Sequence, residues 1–540
     1  MSFIQQNKLI GTVRFWVLIA ALASVFSFGT ASAGFAQSTA FKQAVALAAA
    51  SDPAILEFYK ERQFKPIWTG NSDRQRRRAF LDATSKSWVH GLPTSRYNPA
   101  QMKKDFGSIK SAKARGVLEV ETSKKFLQYA QDVQSGILEP LKIDKELYVF
   151  PPRRDRMKNL IAFSKSSPSA FLKSLPPKHP DYQRLLKEKA RLEKILGHGG
   201  WGAKVSAKKL KPGQSSKKVV EMRKRLTALG YKKLGTSPEY NEILQRSVQL
   251  FQVDHGLNAD GVAGSATIKA MNVSAQTRLQ QVIVGLERQR WLNKPRGKRH
   301  VFVNQADFRA YVMDNGKATF ETRVVVGKAG KFRTPEFTDE MTHLIINPTW
   351  HVPQSIARNE YLPMLKKDPT SLTRQGLRMT NAKGQRVDPA KLDYSLYNSK
   401  NFPFDIKQPP STRNALGLVK FMFPNRFNIY LHDTPSKSLF ARDARAYSHG
   451  CVRVQKPFEL AYTLLKRQSS NPKGLFHDLL DSGRESQVDL DQAIPVHLVY
   501  HSAWITPQGR PNYRADIYGR DKKIFKALQK AGVVMRAVRS

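Results

Sequence analysis

The segment YSHGCVRV, residues 447–454, contains the only cysteine in a chain of 540 residues. Cys451 follows Ser448, His449 and Gly450, and such a polar, flexible surrounding is unusual for a cysteine that merely fills a core. A single cysteine cannot form an internal disulfide, so the thiol is an inert buried group, a link to another molecule or a reactive group. The flanking residues favour the last of these, a nucleophilic thiol.

Groups that could activate this thiol lie close to it in the sequence. A thiol attacks as the thiolate, and its ordinary pKa is about 8.5. Near neutral pH, an imidazole or a helix N-terminus is needed to help form the thiolate. His432 ends the predicted strand FNIYL, and a helix predicted from Pro457 follows Cys451. Backbone amides around residues 449–451 could hold an oxyanion. Because His432 precedes the cysteine, the order argues against a papain-like fold, in which the cysteine comes first.

The charge balance of the chain is strongly basic. Lys and Arg number 90 against 43 for Asp and Glu, which gives a formal net charge of +47. A surface this basic adheres to polyanions, and nucleic acid, anionic lipid and the acidic polymers of a bacterial envelope are the candidates. Hydrophobic residues make up 41% of the chain, so the composition is that of a folded protein rather than a disordered one.

The N-terminus predicts export. Lys8 and Arg14 precede an uncharged apolar run over residues 15–33, which ends in the small residues Ala-Ser-Ala at 31–33. A charged start, an apolar middle and a small-residue end are typical of a secretory signal peptide, assigned here to residues 1–33. An uncleaved anchor, through which the protein would touch a membrane, is the alternative. Export makes intracellular nucleic acid an unlikely partner and predicts a periplasmic, cell-wall-associated location.

Periodicity divides the remaining chain into a helical part and a strand-rich part. Residues 37–200 show apolar residues at helical spacing. A Gly- and Lys-rich linker begins at 197. Residues 219–272 contain two helical stretches, of which the first is predicted to end at Gly230, and a short third one. From Arg299 the pattern changes to short β-branched and aromatic runs broken by Gly and Pro, which predicts strands. The polar segment 365–412 interrupts them and is interpreted as a lid.

The residues around Cys451 resemble the signature of the L,D-transpeptidase (YkuD-type) family. That signature is an upstream His, then Ser or Thr, His-Gly-Cys, an apolar residue and Asn or Arg, and His432 with residues 448–453 matches it. INPTWHVPQSIAR (346–358) and YLHDTP (430–435) resemble the large periplasmic branch of the family, and residues 219–272 resemble a peptidoglycan-binding module.

The resemblance implies a multidomain α+β fold with a helical N-terminal scaffold, a small three-helix peptidoglycan-binding module and a mainly-β catalytic domain. The predicted boundaries are 1–33 for the signal peptide, 37–200 for the scaffold, 215–275 for the binding module, 296–508 for the catalytic domain with its lid at 365–412, and 509–540 for a C-terminal extension.

The resemblance also assigns roles to the residues of the site. Cys451 would be the nucleophile and His432 the general base. His449 would have a lesser, orienting role, and the backbone amides near Gly450 and Cys451 would hold the oxyanion. The Asp433 carbonyl would orient the imidazole. The other expected site residues are Ser448 of the signature and the substrate-binding residues Arg453, Trp350 and Tyr430, with Trp350 as a pocket wall.

The implied reaction takes place on peptidoglycan. Cys451 attacks the carbonyl of the third residue of a tetrapeptide stem and releases D-alanine, and the thioester passes to the side-chain amine of another stem as a 3→3 crosslink. No metal or cofactor is expected, since the histidines lack further ligands at metal spacing. The basic surface would hold the enzyme at the carboxylate-bearing wall. By the same resemblance, a carbapenem is expected to acylate Cys451.

Other functions stay open at this point. The same acyl-enzyme could pass its acyl group to water, as a carboxypeptidase, or to an outer-membrane or other envelope protein. A non-catalytic wall-binding protein is a further alternative, although the intact set of His432, Ser448, His449 and Cys451 argues against it. A hydrolytic cysteine peptidase of the wall is disfavoured by the order of His and Cys.

Overall fold

Contacts along the chain define two compact units. The computed structural model describes residues 33–231 and 234–539, so the predicted signal peptide, apart from Ala33, lies outside the described residues. The first unit comprises the chain up to Ser85, Tyr97–Tyr129 and Asp155–Leu172, and the second comprises Lys86–Arg96, Ala130–Arg154 and the chain from Lys173 onward. Among the helices of the described residues, none has both the length and the apolar character needed to cross a membrane.

The first unit is helical, as the apolar spacing predicts. Several of its helices begin at side-chain caps: Asp52 accepts a hydrogen bond from the Ile55 amide, and Asp155 accepts one from the Lys158 amide. Its helices are Ala33–Ala49, Pro53–Glu61, Arg74–Ser85, Pro99–Ser108, Arg156–Lys165, most of Ala112–Ser135 and the start of Pro168–Ser174. The core is aromatic, and the rings of Phe126 and Phe163 stack with their centroids 4.4 Å apart.

A buried carboxylate organises this unit. Glu119 is fully buried and accepts hydrogen bonds from the Tyr59 hydroxyl (2.8 Å) and from the amides of Ile67 (2.6 Å), Trp68 (3.1 Å) and Thr69 (2.8 Å). Burial raises the pKa of the Glu119 carboxyl, while these donors lower it. The carboxylate therefore replaces the missing backbone partners of three consecutive amides.

Glu119→Gln is expected to destabilise the first unit by about 3 kcal/mol, because the new NH₂ group would face N–H donors and leave them unpaired. Denaturant unfolding followed by circular dichroism would measure the change. Glu121→Gln is the matched control: Glu121 lies on the same helix, its side chain is half exposed and it pairs with Lys124 at the surface. Equal stability of the two variants would contradict the role given to Glu119.

The second unit contains the small three-helix module. Its helices are Lys217–Leu229, Glu242–Asp254 and Ser265–Met271. Gly230 ends the first of them with φ of 105°, a left-handed value that favours glycine, as the sequence predicts. The module has its own apolar core around Val219, Leu244 and Phe251. Longer helices flank it at Pro180–Gly197 and Ala275–Trp291. The helical N-terminal part, the three-helix module and the strand-rich remainder confirm the predicted fold class.

The strands follow from Arg299. They are β1 Arg299–Asn304, β2 Arg309–Asp314, β3 Lys317–Gly327, β4 Phe337–Ile346, β5 Trp350–His351, β6 Arg378–Thr380, β7 Arg386–Val387, β8 Asp405–Gln408, β9 Val419–Met422, β10 Leu431–His432, β11 Ala446–Ser448, β12 Val452–Val454, β13 Ser486–Val499, β14 Ala503–Ile505 and β15 Pro511–Tyr513. The main sheet has the order β11-β3-β12-β10-β9-β4-β13-β1-β2. Because β2 also pairs with β3, the sheet closes on itself.

The inner face of this sheet forms the core of the strand-rich part. β10 and β12 are parallel neighbours, with Leu431 beside Val452 and His432 beside Arg453. Leu431 and Val452 are fully buried in the core. Successive side chains of a strand point to opposite faces, so His432 and Arg453 point to the other face of the sheet. Helices Pro457–Leu465 and Pro472–Asp481 add Leu460 and Phe476 to the core.

Residues 350–408 form a small subdomain, called here the insert. A four-stranded sheet of order β5-β8-β6-β7 carries short helices that include Leu362–Lys367 and Ser371–Arg374. Leu362, Leu372 and Phe402 belong to a buried apolar cluster of its own. The polar segment interpreted as a lid is therefore folded around a core rather than structureless. Its closure over the acyl pocket stays a prediction.

The end of the chain packs onto the second unit. β14 and β15 form a hairpin, and helix Arg520–Lys530 follows. Arg520 is fully buried and pairs with Glu146 at 3.1 Å and with Glu336 at 3.4 Å. Residues predicted as an extension after the catalytic domain thus supply β15, the partner strand of β14.

Candidate active site

The cysteine lies in a tight loop between β11 and β12. Ser448 shapes this loop: its hydroxyl donates to the Cys451 carbonyl and accepts from the Gly450 amide at 3.2 Å. Gly450 has φ of 122°, and an added Cβ would come within 3.1 Å of Ile429. Glycine is therefore required at this position, and Ser448 acts on the backbone of the loop. The Gly450 N–H already donates to the Ser448 hydroxyl, so in this structure it is not free to donate to a substrate oxygen.

The thiol of Cys451 is uncharged at neutral pH. Cys451 is half-buried, and its sulfur contacts the Asn428 carbonyl oxygen at 3.6 Å. Burial raises the pKa of the Cys451 thiol to about 11, while hydrogen bonds from Tyr430 and the charge of Arg453 lower it. Burial and the neighbouring thiol raise the pKa of the Tyr430 hydroxyl, so this hydroxyl stays protonated and can donate to the sulfur.

The imidazole of His432 is also uncharged. His432 is buried, and its Nδ1 donates to the Asp433 carbonyl, which leaves Nε2 as the basic nitrogen. Burial lowers the pKa of His432 to about 3, and the charge of Arg453 adds to the effect. Tyr430, His432, Cys451 and Arg453 alternate with the core residues and share the outer face of β10 and β12. Among the described residues, the sulfur donates to the Asn428 carbonyl and is hydrogen-bonded to Tyr430, and no hydrogen bond joins it to His432.

Trp350 and Arg453, both expected to bind substrate, line one cleft of about 370 Å³ between the insert and the β10 region. Tyr361 faces the Trp350 ring, with the two centroids 6.3 Å apart. Arg413 brings a further positive charge to the wall, and Arg374, which pairs with Asp368, also lines it. Nε of Arg453 is buried and has no hydrogen-bond partner among the described residues. The cleft therefore suits an anionic ligand that can fill the open donor of Arg453.

His449 points to the insert. Its Nε2 lies 2.6 Å from Oε1 of Glu360, and its ring meets Phe332 edge to face at 4.5 Å. His449 therefore does not belong to the group on the outer face, which consists of Tyr430, His432, Cys451 and Arg453. It joins the cysteine loop to the insert instead. Sequence reasoning missed Glu360, and no sequence signal marks it, because 89 positions separate the two residues.

The side chain of Asp433 was also missed. Only its carbonyl was expected to matter, yet its buried carboxylate accepts the Leu418 amide at 3.0 Å and pairs with Lys437. Gly417, with φ of 63°, leaves room for that carboxylate, since an added Cβ would lie 2.3 Å from it. These contacts fix the backbone that receives the hydrogen bond of His432.

Comparison with protein-family models matches residues 298–471 to the YkuD model, an L,D-transpeptidase catalytic domain. The signature residues His432 and 448–453 lie inside this match. Residues 298–471 are a YkuD-type L,D-transpeptidase domain. Two further models match outside it: the scaffold domain at residues 53–188, and the "Putative peptidoglycan binding domain" at residues 215–271.

The L,D-transpeptidase domain has relatives among curated and solved proteins. A Haemophilus influenzae protein named "Putative L,D-transpeptidase" is 35% identical over 224 residues, which cover 42% of this chain and 45% of that protein, less than half of its length. The L,D-transpeptidase structure from Mycobacterium smegmatis is 12% identical and covers 37% of this chain and 58% of that one, with a TM-score of 0.18. The Stackebrandtia nassauensis structure is 14% identical and covers 55% and 97%, with a TM-score of 0.22. These TM-scores are too low for the two structures to support a conclusion about this chain.

Within residues 33–231 and 234–539, no group of three or more His, Cys, Asp and Glu side chains is arranged to hold a metal ion.

Glu360→Gln is expected to loosen the contact between the L,D-transpeptidase loop and the insert. The amide keeps the size of the side chain but loses the charge-assisted bond to His449. We expect a three- to tenfold rise in KM for a stem peptide with little change in kcat, because the residue touches no reacting atom. Steady-state kinetics would measure it. Glu459→Gln, a change at an exposed glutamate of helix Pro457–Leu465, is the control, and equal KM values for the two variants would contradict the role of Glu360.

Proposed function

We propose that the protein is an L,D-transpeptidase that attacks a peptidoglycan tetrapeptide stem through Cys451, releases the terminal D-alanine and forms a 3→3 crosslink. The observation that carries the proposal is that His432 ends β10 and Cys451 directly precedes β12, the parallel neighbour of β10, inside the matched domain. The uncharged state of both groups supports general-base attack rather than a preformed ion pair.

In the first half-reaction, a bond forms between Cys451 and the stem. As Nε2 of His432 takes the thiol proton, the sulfur attacks the carbonyl carbon of the third residue. The Tyr430 hydroxyl donates to the sulfur and stabilises negative charge while the proton leaves. The tetrahedral intermediate collapses, the bond to D-alanine breaks, and His432 gives its proton to the leaving amine. The product is a thioester on Cys451.

In the second half-reaction, the side-chain amine of another stem attacks the thioester. His432 removes a proton from this amine, the bond to sulfur breaks, and the thiol of Cys451 is restored. The new amide joins the third residues of two stems. The Trp350 and Arg453 cleft would hold a carboxylate of a stem, because Arg453 and Arg413 supply the charge and Trp350 a flat wall.

The proposed partner is therefore peptidoglycan, and the match to a peptidoglycan-binding domain at residues 215–271 supports it. Such a substrate lies outside the cytoplasm, and we propose the periplasm as the location, with residues 1–33 as the export signal. A net charge of +47 favours adhesion to a polymer that carries carboxylates.

Mass spectrometry of the products tests the proposal. The full chain is incubated with disaccharide-tetrapeptide muropeptides, and the Cys451→Ala variant serves as the blank. A dimer that has lost one D-alanine is the expected product. A tripeptide monomer as the product would indicate that the acyl group passes to water, so the activity would be that of a carboxypeptidase rather than a transpeptidase. Unchanged muropeptides in both samples would reject peptidoglycan crosslinking, and envelope proteins would then be tried as acyl acceptors.

A further inference from the structure

A second cleft lies beside the three-helix module, and its lining includes no residue of the cysteine loop. Its volume is about 310 Å³, and the module, helices Pro180–Gly197 and Ala275–Trp291, and the β14–β15 hairpin contribute to its walls. The aromatic side chains of Trp201, Tyr231 and Tyr513 line it. A concave site of this size that combines aromatic walls with charged side chains is typical of a ligand pocket.

The charges around the cleft do not balance. Arg191 is paired with Glu188 at 2.7 Å, and Arg510 is paired with Asp254 at 3.6 Å. A third guanidinium, that of Arg278, lines the same cleft. Its hydrogen bonds go to uncharged groups, namely Oε1 of Gln281 at 2.8 Å and the Ala270 carbonyl at 3.2 Å. One positive charge is thus left without a carboxylate among the described residues.

Arg278 is deeply buried for a cation that has no carboxylate partner among the described residues. It is 5% exposed, and its guanidinium lies 4.6 Å from the centre of the Tyr513 ring. Burial lowers the pKa of Arg278 to about 10, so the group is still charged at neutral pH. A buried ion without a counter-ion is costly, and a carboxylate from a ligand would remove that cost.

A second polar group of the cleft is also unsatisfied. Trp201 is 6% exposed, and its indole N–H has no hydrogen-bond partner among the described residues. The cation of Arg225 lies 5.6 Å from the centre of the same ring and is bound only to backbone carbonyls, including that of Met271. The cleft therefore presents positive charge and an open donor, which together call for a ligand rich in acceptors.

We propose that this cleft binds the carboxylate-bearing peptide stem of peptidoglycan, so that the chain holds one part of the wall polymer while Cys451 acts on another. The inference rests on the proposed function for the class of ligand. Arg278 and Tyr513 lie outside the module matched at residues 215–271, so the module alone would lack the cation and one aromatic wall of the site.

Photo-crosslinking tests the site directly. The probe is a disaccharide-tetrapeptide muropeptide carrying a diazirine, and the protein is the full chain with Cys451→Ala, which prevents turnover. Mass spectrometry then maps the labelled peptides. Adducts are expected in residues 229–231, 247–255 or 510–513, besides those near residue 451. A probe whose stem carboxylates are amidated is expected to label the cleft at least about tenfold less than the unmodified probe.

Two variants separate the cleft from other surfaces. Leu250→Trp would fill the mouth, where Leu250 is exposed, and is expected to reduce cleft labelling about tenfold while labelling near residue 451 persists. Ile243→Trp is the matched control, since Ile243 is exposed on the same helix and does not line the cleft. Arg278→Gln should also lose cleft labelling, with its Tm measured to show that it folds.

The outcomes distinguish this inference from the proposed function. Labelling of the Cys451→Ala chain that avoids the cleft would overturn the inference. Cleft labelling that persists after the additional Leu250→Trp change, or with the amidated stem, would also overturn it. Crosslinked products without cleft labelling would reject the inference alone. Cleft labelling without any change in muropeptide mass would support the inference and reject the transpeptidase activity.

Discussion

Cys451→Ala is expected to reduce D-alanine release from a tetrapeptide stem by at least about 10⁴-fold. The proposed reaction passes through a bond to the Cys451 sulfur, and this is the chain's only cysteine, so no other thiol can substitute. A carbapenem adduct, seen as a mass increase of the intact wild-type protein, is expected to be absent from the variant. Released D-alanine and intact-protein mass together measure the effect.

The alanine variant should otherwise behave as the wild type. Cys451 is half-buried in a loop whose shape is set by the Ser448 hydroxyl and by Gly450, so its replacement by alanine leaves those contacts in place. Tm within a few degrees of the wild-type value is the control. If a folded Cys451→Ala protein still released D-alanine, the assignment of Cys451 as the nucleophile would be wrong.

His432→Asn is expected to slow acylation by 10²- to 10⁴-fold at pH 7. The asparagine amide can still donate to the Asp433 carbonyl, but it offers no basic nitrogen in place of Nε2. The pH dependence gives a sharper test than the rate alone. Acylation by a carbapenem in a stopped-flow instrument, at a series of pH values, would measure both.

The two proteins should differ in the shape of the pH profile. The wild-type reaction needs neutral His432, and because burial lowers the pKa of this group to about 3, activity is lost only as the pH falls toward 3. Between about pH 5 and 9 the wild-type rate should be flat. The variant must rely on preformed thiolate, and the pKa of Cys451 is raised to about 11, so its rate should rise tenfold per pH unit over this range. A wild-type midpoint near 6.5 would contradict the neutral pair.

Short-range patterns carried the sequence predictions that the structure confirms. Short runs of β-branched and aromatic residues predict strands after Arg299, and glycine with a left-handed φ ends the helix at Gly230. His432 and Cys451 could be named because one compact motif contains both, and their catalytic roles stay a prediction. Each of these signals depends on residues a few positions apart or on one compact motif.

What the sequence could not supply are contacts between distant segments. The hydrogen bond between Glu360 and His449 spans 89 positions and follows from the folding of the insert on its own core. The polarity of residues 365–412 suggested a loop, because apolar residues such as Leu372 and Phe402 are scattered and meet only in three dimensions. The cleft at Arg278 is built from segments more than 200 residues apart and leaves no local pattern.

The high pKa of the Cys451 thiol has a consequence for the durability of the protein. Oxidants such as peroxides attack the thiolate, and at pH 7 a thiol with pKa about 11 is ionised in roughly one molecule in 10⁴. Outside the reducing cytoplasm there is no thiol pool to repair an oxidised cysteine. In the proposed mechanism the proton leaves the sulfur only when a substrate is bound, so the burial that raises the pKa of the thiol would also protect it from oxidation between turnovers.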